Sequence, residues 1–203
     1  MNPVFYHGKE ICPSKIVCAG RNYVAHANEL NNEVPEEPVI FIKPNSAIGS
    51  QPVAMPDEVL HYEAEISFLV VAERLSGVGF GLDLTKRVLQ TELKSRGLPW
   101  ERAKSFDNSA VFSEFVEFTG DMNSLRLVFY INDKLVQQGG SQQMLHKPTQ
   151  LLTECQHFLS FEDGDILMTG TPAGVGPVIA GDHYRGRIIA GDKVLIDTSW
   201  VVK

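Results

Sequence analysis

A pair of glutamates at the start of an apolar run is the feature that most constrains how this chain can fold. Residues 61–71 read HYEAEISFLVV, and the apolar, partly β-branched residues from Ile66 onward predict a buried strand. Because side chains alternate along a strand, Glu63 and Glu65 point to the same face. Like charges on one face repel, and burying even one unpaired carboxylate is costly. Unless this face lies in solvent, the fold must supply a partner for both carboxylates.

A third carboxylate indicates what this partner is. Asp83 lies inside GFGLDL, an apolar segment that predicts a further strand over residues 79–84. Three carboxylates that converge from two strands suit a hard cation, because Mg²⁺ and Mn²⁺ prefer oxygen ligands and their charge removes the repulsion. We therefore predict a Mg²⁺ or Mn²⁺ site formed by Glu63, Glu65 and Asp83. His61 is either an extra ligand or a hydrogen-bonding neighbour, and no His/Cys spacing typical of zinc is present.

Length and composition predict one globular domain over residues 1–203. The chain is 43% hydrophobic and 21% charged, as is typical of soluble proteins. A net charge of −7 argues against nucleic acid or an anionic membrane as a partner but allows a local positive site for an anionic metabolite. No apolar run approaches the roughly 18 residues of a membrane-spanning helix, and no signal sequence is recognisable. Cys12, Cys18 and Cys155 form no CxxC pattern, so we expect reduced thiols and a cytoplasmic location.

Short apolar segments separated by turns predict many strands and few helices. Besides the two strands above, the pattern predicts strands over residues 15–19, 39–43, 165–171 and 193–202. Asn132-Asp133 predicts the turn of a hairpin between residues 125–131 and 134–139. Helical spacing predicts short helices over residues 21–30, 85–97 and 148–159. This arrangement is typical of an α+β fold with a mixed, curled sheet.

Six stretches of the chain form a specific set of motifs: GRNYVAHANE (20–29), PEEPVIFIKP (35–44), HYEAEI (61–66), GLDLTKRVLQ (81–90), GLPWERAKSFDNS (97–109) and EDGDILMTGTPAGVGPV (162–178). Together they resemble the fumarylacetoacetate hydrolase family, and most closely its short single-domain members that act on acylpyruvates and oxaloacetate. The resemblance runs from about Lys15 to Val202. It implies a mixed β-roll, a homodimer, and Mg²⁺ or Mn²⁺ held by the same Glu63, Glu65 and Asp83.

The sequence departs from the family pattern in the connection between the E-x-E strand and Asp83. Residues 72–82 (AERLSGVGFGL) are too few for the short helix that family members usually carry there. Either the protein lacks this surface element or the sequence lacks a segment. Val88 stands where relatives often have an aspartate, and Tyr62 where many have a histidine. None of these positions is a predicted metal ligand.

The resemblance assigns catalytic roles to residues that spacing alone would leave on a surface. His26 and Glu29 share a helical face, and the resemblance implies that they form a dyad that activates water. The resemblance also implies that Lys104 stabilises a substrate enolate, much as an oxyanion donor does. Thr171 and backbone N–H groups of the glycine-rich loop TGTPAGVGPV (169–178) are expected to contact a substrate carboxylate. The predicted substrate-binding residues are Arg21, which otherwise anchors the helix, Lys43, Arg87, Gln90 and Thr171.

These roles predict a divalent-metal-dependent hydrolase that cleaves a C–C bond in 2,4-dioxo acids such as acylpyruvates, fumarylpyruvate or fumarylacetoacetate. His26, backed by Glu29, would activate the water, and pyruvate would leave as an enolate. The alternative at the same site is an oxaloacetate decarboxylase or keto–enol tautomerase, which needs no attacking water. A metal-binding protein without catalysis is a weaker alternative, favoured if His26 or Lys104 points away from the metal ligands.

Overall fold

The structure is a computed structural model that describes residues 1–30 and 33–203. Its helices are α1 (Val24–Glu29), α2 (Arg87–Ser95), α3 (Glu101–Lys104) and α4 (Pro148–Gln156), with 3₁₀ turns at Asn45–Ala47, Met122–Ser124 and Ser141–Gln143. Its strands are β1 (Val4–Tyr6), β2 (Lys9–Ile11), β3 (Lys15–Gly20), β4 (Val39–Pro44), β5 (Ile48–Gly49), β6 (Leu60–Tyr62), β7 (Ala64–Val71), β8 (Arg74–Asp83), β9 (Thr85–Lys86), β10 (Ala110–Phe112), β11 (Val116–Glu117), β12 (Leu125–Ile131), β13 (Lys134–Gly140), β14 (Ile166–Met168), β15 (Gly176–Pro177), β16 (His183–Ala190) and β17 (Lys193–Val201).

The largest sheet is mixed and has β7 near its centre. Its strand order is β4-β3-β14-β7-β8-β10-β5, with β11 pairing on β8. The β3–β14 and β5–β10 pairs are parallel, and the other pairs are antiparallel. From Ala64 to Val70 every residue of β7 is buried, because this strand is covered on both faces. The α+β fold with a mixed, curled sheet is confirmed.

A second, antiparallel sheet covers one face of the first. Its order is β13-β12-β16-β17. The core between the sheets contains an aromatic cluster in which the Phe129 and Tyr184 rings meet edge to face with centroids 5.0 Å apart. Gly186 of β16 allows the close approach, since a Cβ atom there would lie 2.5 Å from the Phe80 ring. A smaller sheet, β15-β6-β9, adjoins the start of β7.

The predicted turn at Asn132-Asp133 is confirmed. Both residues have positive φ (49° and 64°), as a two-residue hairpin turn requires, and β12 and β13 flank them. The predicted helix over 148–159 ends earlier, at Gln156. Its start is set by Pro148 at the first position and by the Gln150 side chain, which accepts a hydrogen bond from the Lys147 N–H at 2.8 Å.

Two predicted elements are divided differently in the structure. The strand predicted over 61–71 is two strands, β6 and β7, interrupted at Glu63. At this break the Glu63 carbonyl accepts a hydrogen bond from the Asp83 N–H at 2.8 Å. The helix predicted over 85–97 begins only at Arg87, because Thr85 and Lys86 pair with β6 as strand β9.

The short connection between Glu65 and Asp83 is a hairpin. Residues 74–83 form the ten-residue strand β8, so the strand predicted over 79–84 begins five residues earlier. Ala72 and Glu73, with φ of 49° and 59°, make the turn between β7 and β8. The connection therefore closes as a hairpin, without the short helix that the family resemblance leads one to expect. Val88 is 73% exposed on α2, so this departure from the family lies on the outer surface.

None of the helices in the described ranges is both long and apolar enough to cross a membrane.

A buried aspartate joins the N-terminal strands to the centre of the large sheet. Asp165, just before β14, accepts hydrogen bonds from the Ser14 N–H and hydroxyl, both at 2.8 Å, and from the Glu162 N–H at 2.9 Å. It also pairs with the Lys15 ammonium. Burial by itself raises the pKa of Asp165, but the hydrogen bonds from Lys15, Glu162 and Ser14 lower it below its usual value.

Replacing this carboxylate should destabilise the fold. Asp165→Asn places an amide NH₂ against donors that now meet an oxygen, so the free energy of unfolding should fall by about 2–3 kcal/mol in urea denaturation. The stability from Asp165 is fully present above its unfolded-state pKa of about 3.9 and is lost as the pH falls through its lower folded-state pKa. Wild type should therefore lose more stability on acidification than Asp165→Asn. Asp192→Asn, in an exposed turn, is the control, and equal stability of both variants would contradict this role.

Candidate active site

The three predicted metal ligands lie together at one end of the β7–β8 hairpin. Pairing of Ala64 with Leu82 brings Glu63 beside Asp83. One carboxylate oxygen from each of Glu63, Glu65 and Asp83 lies within 4.8 Å of the others, and all three side chains are buried. The antiparallel register of the two strands therefore creates the acidic cluster.

Lys104, the last residue of α3, connects two of these carboxylates. Its ammonium donates hydrogen bonds to Glu63 Oε2 at 2.7 Å and Asp83 Oδ2 at 2.6 Å, and to the Thr85 hydroxyl at 2.7 Å. The side chain is 3% exposed. Burial by itself lowers the pKa of Lys104, but the Asp83 and Glu63 carboxylates raise it above its ordinary value. Lys104 is therefore a charged ammonium in direct contact with the acidic cluster.

Arg87 and Lys43 add two further cations. The Arg87 guanidinium donates to Glu63 Oε1 and, at 2.7 Å, to Gln90 Oε1. Lys43 is fully buried, its Nζ lies 2.9 Å from Asp83 Oδ1, and it donates to the Ser109 hydroxyl and to a backbone carbonyl of α3. Lys43 thus supports Asp83 and the end of α3, and it is not among the described residues that line the neighbouring cleft.

The acidic cluster fits a divalent cation. Asp83 Oδ1 is buried and makes no hydrogen bond with the described residues, although the Lys43 ammonium lies 2.9 Å away. Burial raises the pKa of Glu65 well above its usual value, and the Asp83 and Glu63 carboxylates raise it further. The pKa of Glu63 is raised by burial but lowered overall by Lys104 and Arg87. A set of carboxylate oxygens without sulfur or nitrogen donors suits Mg²⁺ or Mn²⁺.

The predicted His–Glu pair lies on α1 at the mouth of the site. His26 Nδ1 lies 3.2 Å from Glu29 Oε2, and Glu29 Oε1 accepts a hydrogen bond from the Gly174 N–H at 2.9 Å. Glu29 therefore orients the imidazole and fastens α1 to the glycine-rich loop. His26 is 5% exposed and lines the same cleft as Lys104 and Glu63.

The cleft between α1 and the acidic cluster is small. Its volume is about 30 Å³, room for roughly one water molecule. The Arg21 guanidinium forms one wall, 5.8 Å from the Trp100 ring centroid, and its Nε is buried without a hydrogen bond to any described residue. A larger groove of about 560 Å³ along β12 and β13 contains no comparable group of buried titratable residues. We therefore place the candidate site at the small cleft, which His26 of α1 borders.

The predicted contact of Thr171 with a substrate carboxylate stays a prediction, and in the structure its hydroxyl is hydrogen-bonded within the protein. Its hydroxyl donates to the Ala64 carbonyl at 2.9 Å and accepts from Gln137 Nε2 at 2.8 Å. The backbone of the same loop contributes directly to the acidic cluster, since the Gly170 N–H donates to Glu65 Oε2 at 2.7 Å. In the structure the loop therefore holds a predicted metal ligand, while the Thr171 hydroxyl is bound to the protein.

Sequence reasoning missed residues that complete the site. Thr85, Lys94 and Trp100 contact the Lys104 ammonium or line the cleft. Thr85 could have been found, because it follows Asp83 by two and so shares its face in an extended chain. Trp100 lies in the motif GLPWERAK beside Lys104, but nothing in its spacing indicates contact with Arg21.

Comparison with known proteins assigns the chain to a family. The family model of the fumarylacetoacetate (FAA) hydrolase C-terminal domain matches residues 15–199. The chain therefore belongs to the fumarylacetoacetate hydrolase family.

Individual relatives carry different names. The chain is 41% identical over 188 residues to Escherichia coli oxaloacetate tautomerase YcgM, covering 84% of this chain and 86% of that protein. It superposes with a TM-score of 0.92 and 39% identity on a putative fumarylacetoacetate isomerase/hydrolase from Oleispira antarctica, over the full length of both chains. Fumarylpyruvate hydrolase from Pseudomonas aeruginosa, solved in complex with Mn²⁺ and pyruvate, gives a TM-score of 0.86 at 27% identity, covering 100% of this chain and 96% of that chain.

Removing the Glu29 carboxylate should loosen α1. Glu29→Ala deletes the contacts to His26 and Gly174, and a helix of six residues has little stability of its own. Amide hydrogen exchange over residues 24–29 should accelerate roughly tenfold, the value of one to two lost hydrogen bonds. Hydrogen-exchange mass spectrometry measures this. Glu92→Ala, which removes only an exposed pair with Arg96, is the control, and unchanged exchange in Glu29→Ala would show that the carboxylate does not hold the helix.

Proposed function

We propose that this chain is a metal-dependent enzyme that interconverts the keto and enol forms of oxaloacetate. The observation that carries the proposal is the buried acidic cluster with Lys104 bound to two of its members and His26 across the same cleft. C–C hydrolysis was the leading expectation from the sequence. The name of the E. coli relative, an oxaloacetate tautomerase at 41% identity, supports the tautomerase alternative instead.

The metal ligands would be Glu63, Glu65 and Asp83. When bound there, Mg²⁺ or Mn²⁺ supplies Lewis-acid polarisation of a 2-oxo acid and a template for its orientation. Glu65 has the Gly170 N–H as a hydrogen-bond donor, which fixes the orientation of its carboxylate toward the other two.

The dianionic substrate would be attracted by the cations of the cleft. Arg21, Arg87 and Lys94 line it together with Lys104. The Nε atoms of Arg21 and Arg87 are buried and make no hydrogen bond within the described protein. Each offers an N–H to a substrate carboxylate, which would compensate its burial.

Proton transfer would involve His26 and Lys104. Because Nδ1 of His26 faces Glu29, Nε2 is left to take the proton from substrate C3. The electron pair of the broken C3–H bond would form the C2–C3 double bond, and the C2 oxygen would take up a proton from solvent to become the enol hydroxyl. The Lys104 ammonium would stabilise the charge that develops on this oxygen. His26 then returns its proton to solvent, and no water is consumed.

C–C hydrolysis is the second candidate function, and two observations favour it. The His26–Glu29 pair has the geometry of a base with its orienting carboxylate. A structural relative at 27% identity is named fumarylpyruvate hydrolase. Hydrolysis and oxaloacetate decarboxylation would pass through an enolate stabilised by the same Lys104, so the reactions differ in what attacks or leaves.

The metal requirement tests the main proposal. Glu65→Gln keeps an acceptor for the Gly170 N–H but removes the charge, so both Mn²⁺ binding and metal-stimulated tautomerisation should fall, the latter by about 10²-fold or more. Calorimetry and the ultraviolet absorbance of the enol measure the two effects. Exposed Glu92→Gln is the control. Full turnover of Glu65→Gln in the presence of chelator would contradict the metal site.

Replacing His26 tests the proton-transfer step. His26→Ala should lower kcat for tautomerisation and for acylpyruvate hydrolysis by about 10²–10⁴-fold, the usual contribution of a general base. Decarboxylation should fall less, because loss of CO₂ needs no proton removal from carbon. Val24→Ala, an exposed change on the same helix, is the control. Equal losses for all substrates in His26→Ala would instead assign His26 to closure of the cleft.

A further inference from the structure

The carboxylates of Glu63 and Asp83 are surrounded by protein cations. Glu63 Oε1 pairs with Arg87, and Glu63 Oε2 lies 2.7 Å from the Lys104 ammonium. Asp83 Oδ2 lies 2.6 Å from the same ammonium, and Asp83 Oδ1 lies 2.9 Å from Lys43 Nζ. All four oxygens therefore already have a cationic side chain at contact distance, whereas Glu65 Oε2 accepts a hydrogen bond from the neutral Gly170 N–H.

A divalent ion held by these carboxylates would compete with one of the three cations. Its ligand oxygens must approach to about 2.0–2.3 Å, so it needs the space between Glu63 and Asp83. Lys104 is the cation that occupies this space, because among the described side chains it alone contacts both carboxylates. A doubly charged ion and an ammonium sharing one buried pair of carboxylates would repel strongly at low effective dielectric.

The surroundings also favour Lys104 as the group that moves. Lys43 is fully enclosed and held by the Ser109 hydroxyl, and Arg87 is held by Gln90. Unlike Lys43, Lys104 lines the cleft; besides the two carboxylates its ammonium contacts the Thr85 hydroxyl, and its Nζ lies 5.1 Å from the ring centroid of Phe41, another residue of the cleft wall. A lysine side chain is flexible, and an aromatic face stabilises a displaced ammonium.

We propose that Lys104 is a competing cation of the metal site, and that metal binding displaces its ammonium from the Glu63–Asp83 pair into the cleft. Metal binding would then place the Lys104 ammonium in the cleft, where a substrate oxygen would lie. The inference rests on the metal site of the proposed function. It adds that the metal and Lys104 exchange places on the same carboxylates.

Whether replacing Lys104 raises or lowers the affinity for the metal ion distinguishes competition from support. A lysine that competes with the metal ion lowers the affinity of the protein for that ion, so replacing the lysine should tighten metal binding. A lysine that merely orients the ligands supports the metal, and removing such an outer partner typically weakens affinity by about 10–100-fold. The two roles therefore predict opposite results for the same variant.

Calorimetric titration with Mn²⁺ measures this sign. Lys104→Met should bind Mn²⁺ about tenfold more tightly than wild type or better. Lys86→Met removes one positive charge nearby that pairs with Glu58 and touches none of the three carboxylates, and it should change the affinity by less than about twofold. Unchanged or weaker binding by Lys104→Met would overturn the inference. Failure of wild type to bind Mn²⁺ would instead overturn the metal site itself.

A second measurement uses wild type alone and so does not depend on folding of the variant. Amine acetylation with and without saturating Mg²⁺, read by peptide mass spectrometry, reports whether each lysine is accessible. Mg²⁺ should raise acetylation of Lys104 several-fold, because the ammonium leaves the carboxylates for the cleft. Fully buried Lys43 should stay protected under both conditions and serves as the internal control. Unchanged or increased protection of Lys104 with Mg²⁺ would contradict the displacement.

Discussion

The charge of three carboxylates in one buried corner is the constraint on which the rest of this structure depends. Glu63, Glu65 and Asp83 cannot share such a place unless other elements supply positive charge or donors. The chain supplies them from separate elements: Arg87 from α2, Lys104 from α3, and Lys43 from β4. These ion pairs attach α2 and α3 to the end of the β7–β8 hairpin.

The same constraint extends to the glycine-rich loop and to α1. Gly170 has a φ of 94°, and a Cβ atom there would lie 2.8 Å from the Asn22 side chain. The side chain of any other residue would push the loop away from the start of α1. This movement would also break the hydrogen bond from the Gly170 N–H to Glu65. Asn22 in turn donates to the Thr169 and His146 carbonyls at 2.8 and 2.9 Å, which anchors the base of α1. The base of α1 is thus fixed beside the acidic cluster, while its far end is held by the contact between Glu29 and Gly174.

The acidic cluster could be predicted from the sequence because it depends on local rules. The alternation of side chains along a strand places Glu63 and Glu65 on one face. Asp83 is indicated because an unpaired carboxylate inside an apolar strand is costly to bury. Positions that depend on tertiary pairing could not be predicted in this way. Lys43 ends the strand predicted over 39–43, and no local pattern indicates that the pairing of β4 with β3 and the approach of α3 enclose it completely. The Thr171 hydroxyl is bound by Gln137 of the second sheet, a partner 34 positions away that no local pattern indicates.

The size of the cleft bears on which of the related reactions suits the site. A volume of about 30 Å³ is far smaller than a 2-oxo acid, so in the proposed function the cleft would have to widen for a substrate to enter. Hydrolysis of a 2,4-dioxo acid needs space for the distal acyl group and for an ordered water on it. Tautomerisation of a four-carbon dianion needs only a base at one carbon and a cation at one oxygen, which His26 and Lys104 of the cleft would provide in the proposed function. The proposed tautomerisation therefore requires less room beside α1, the helix that the hydrogen bond between the Gly174 N–H and Glu29 holds to the glycine-rich loop.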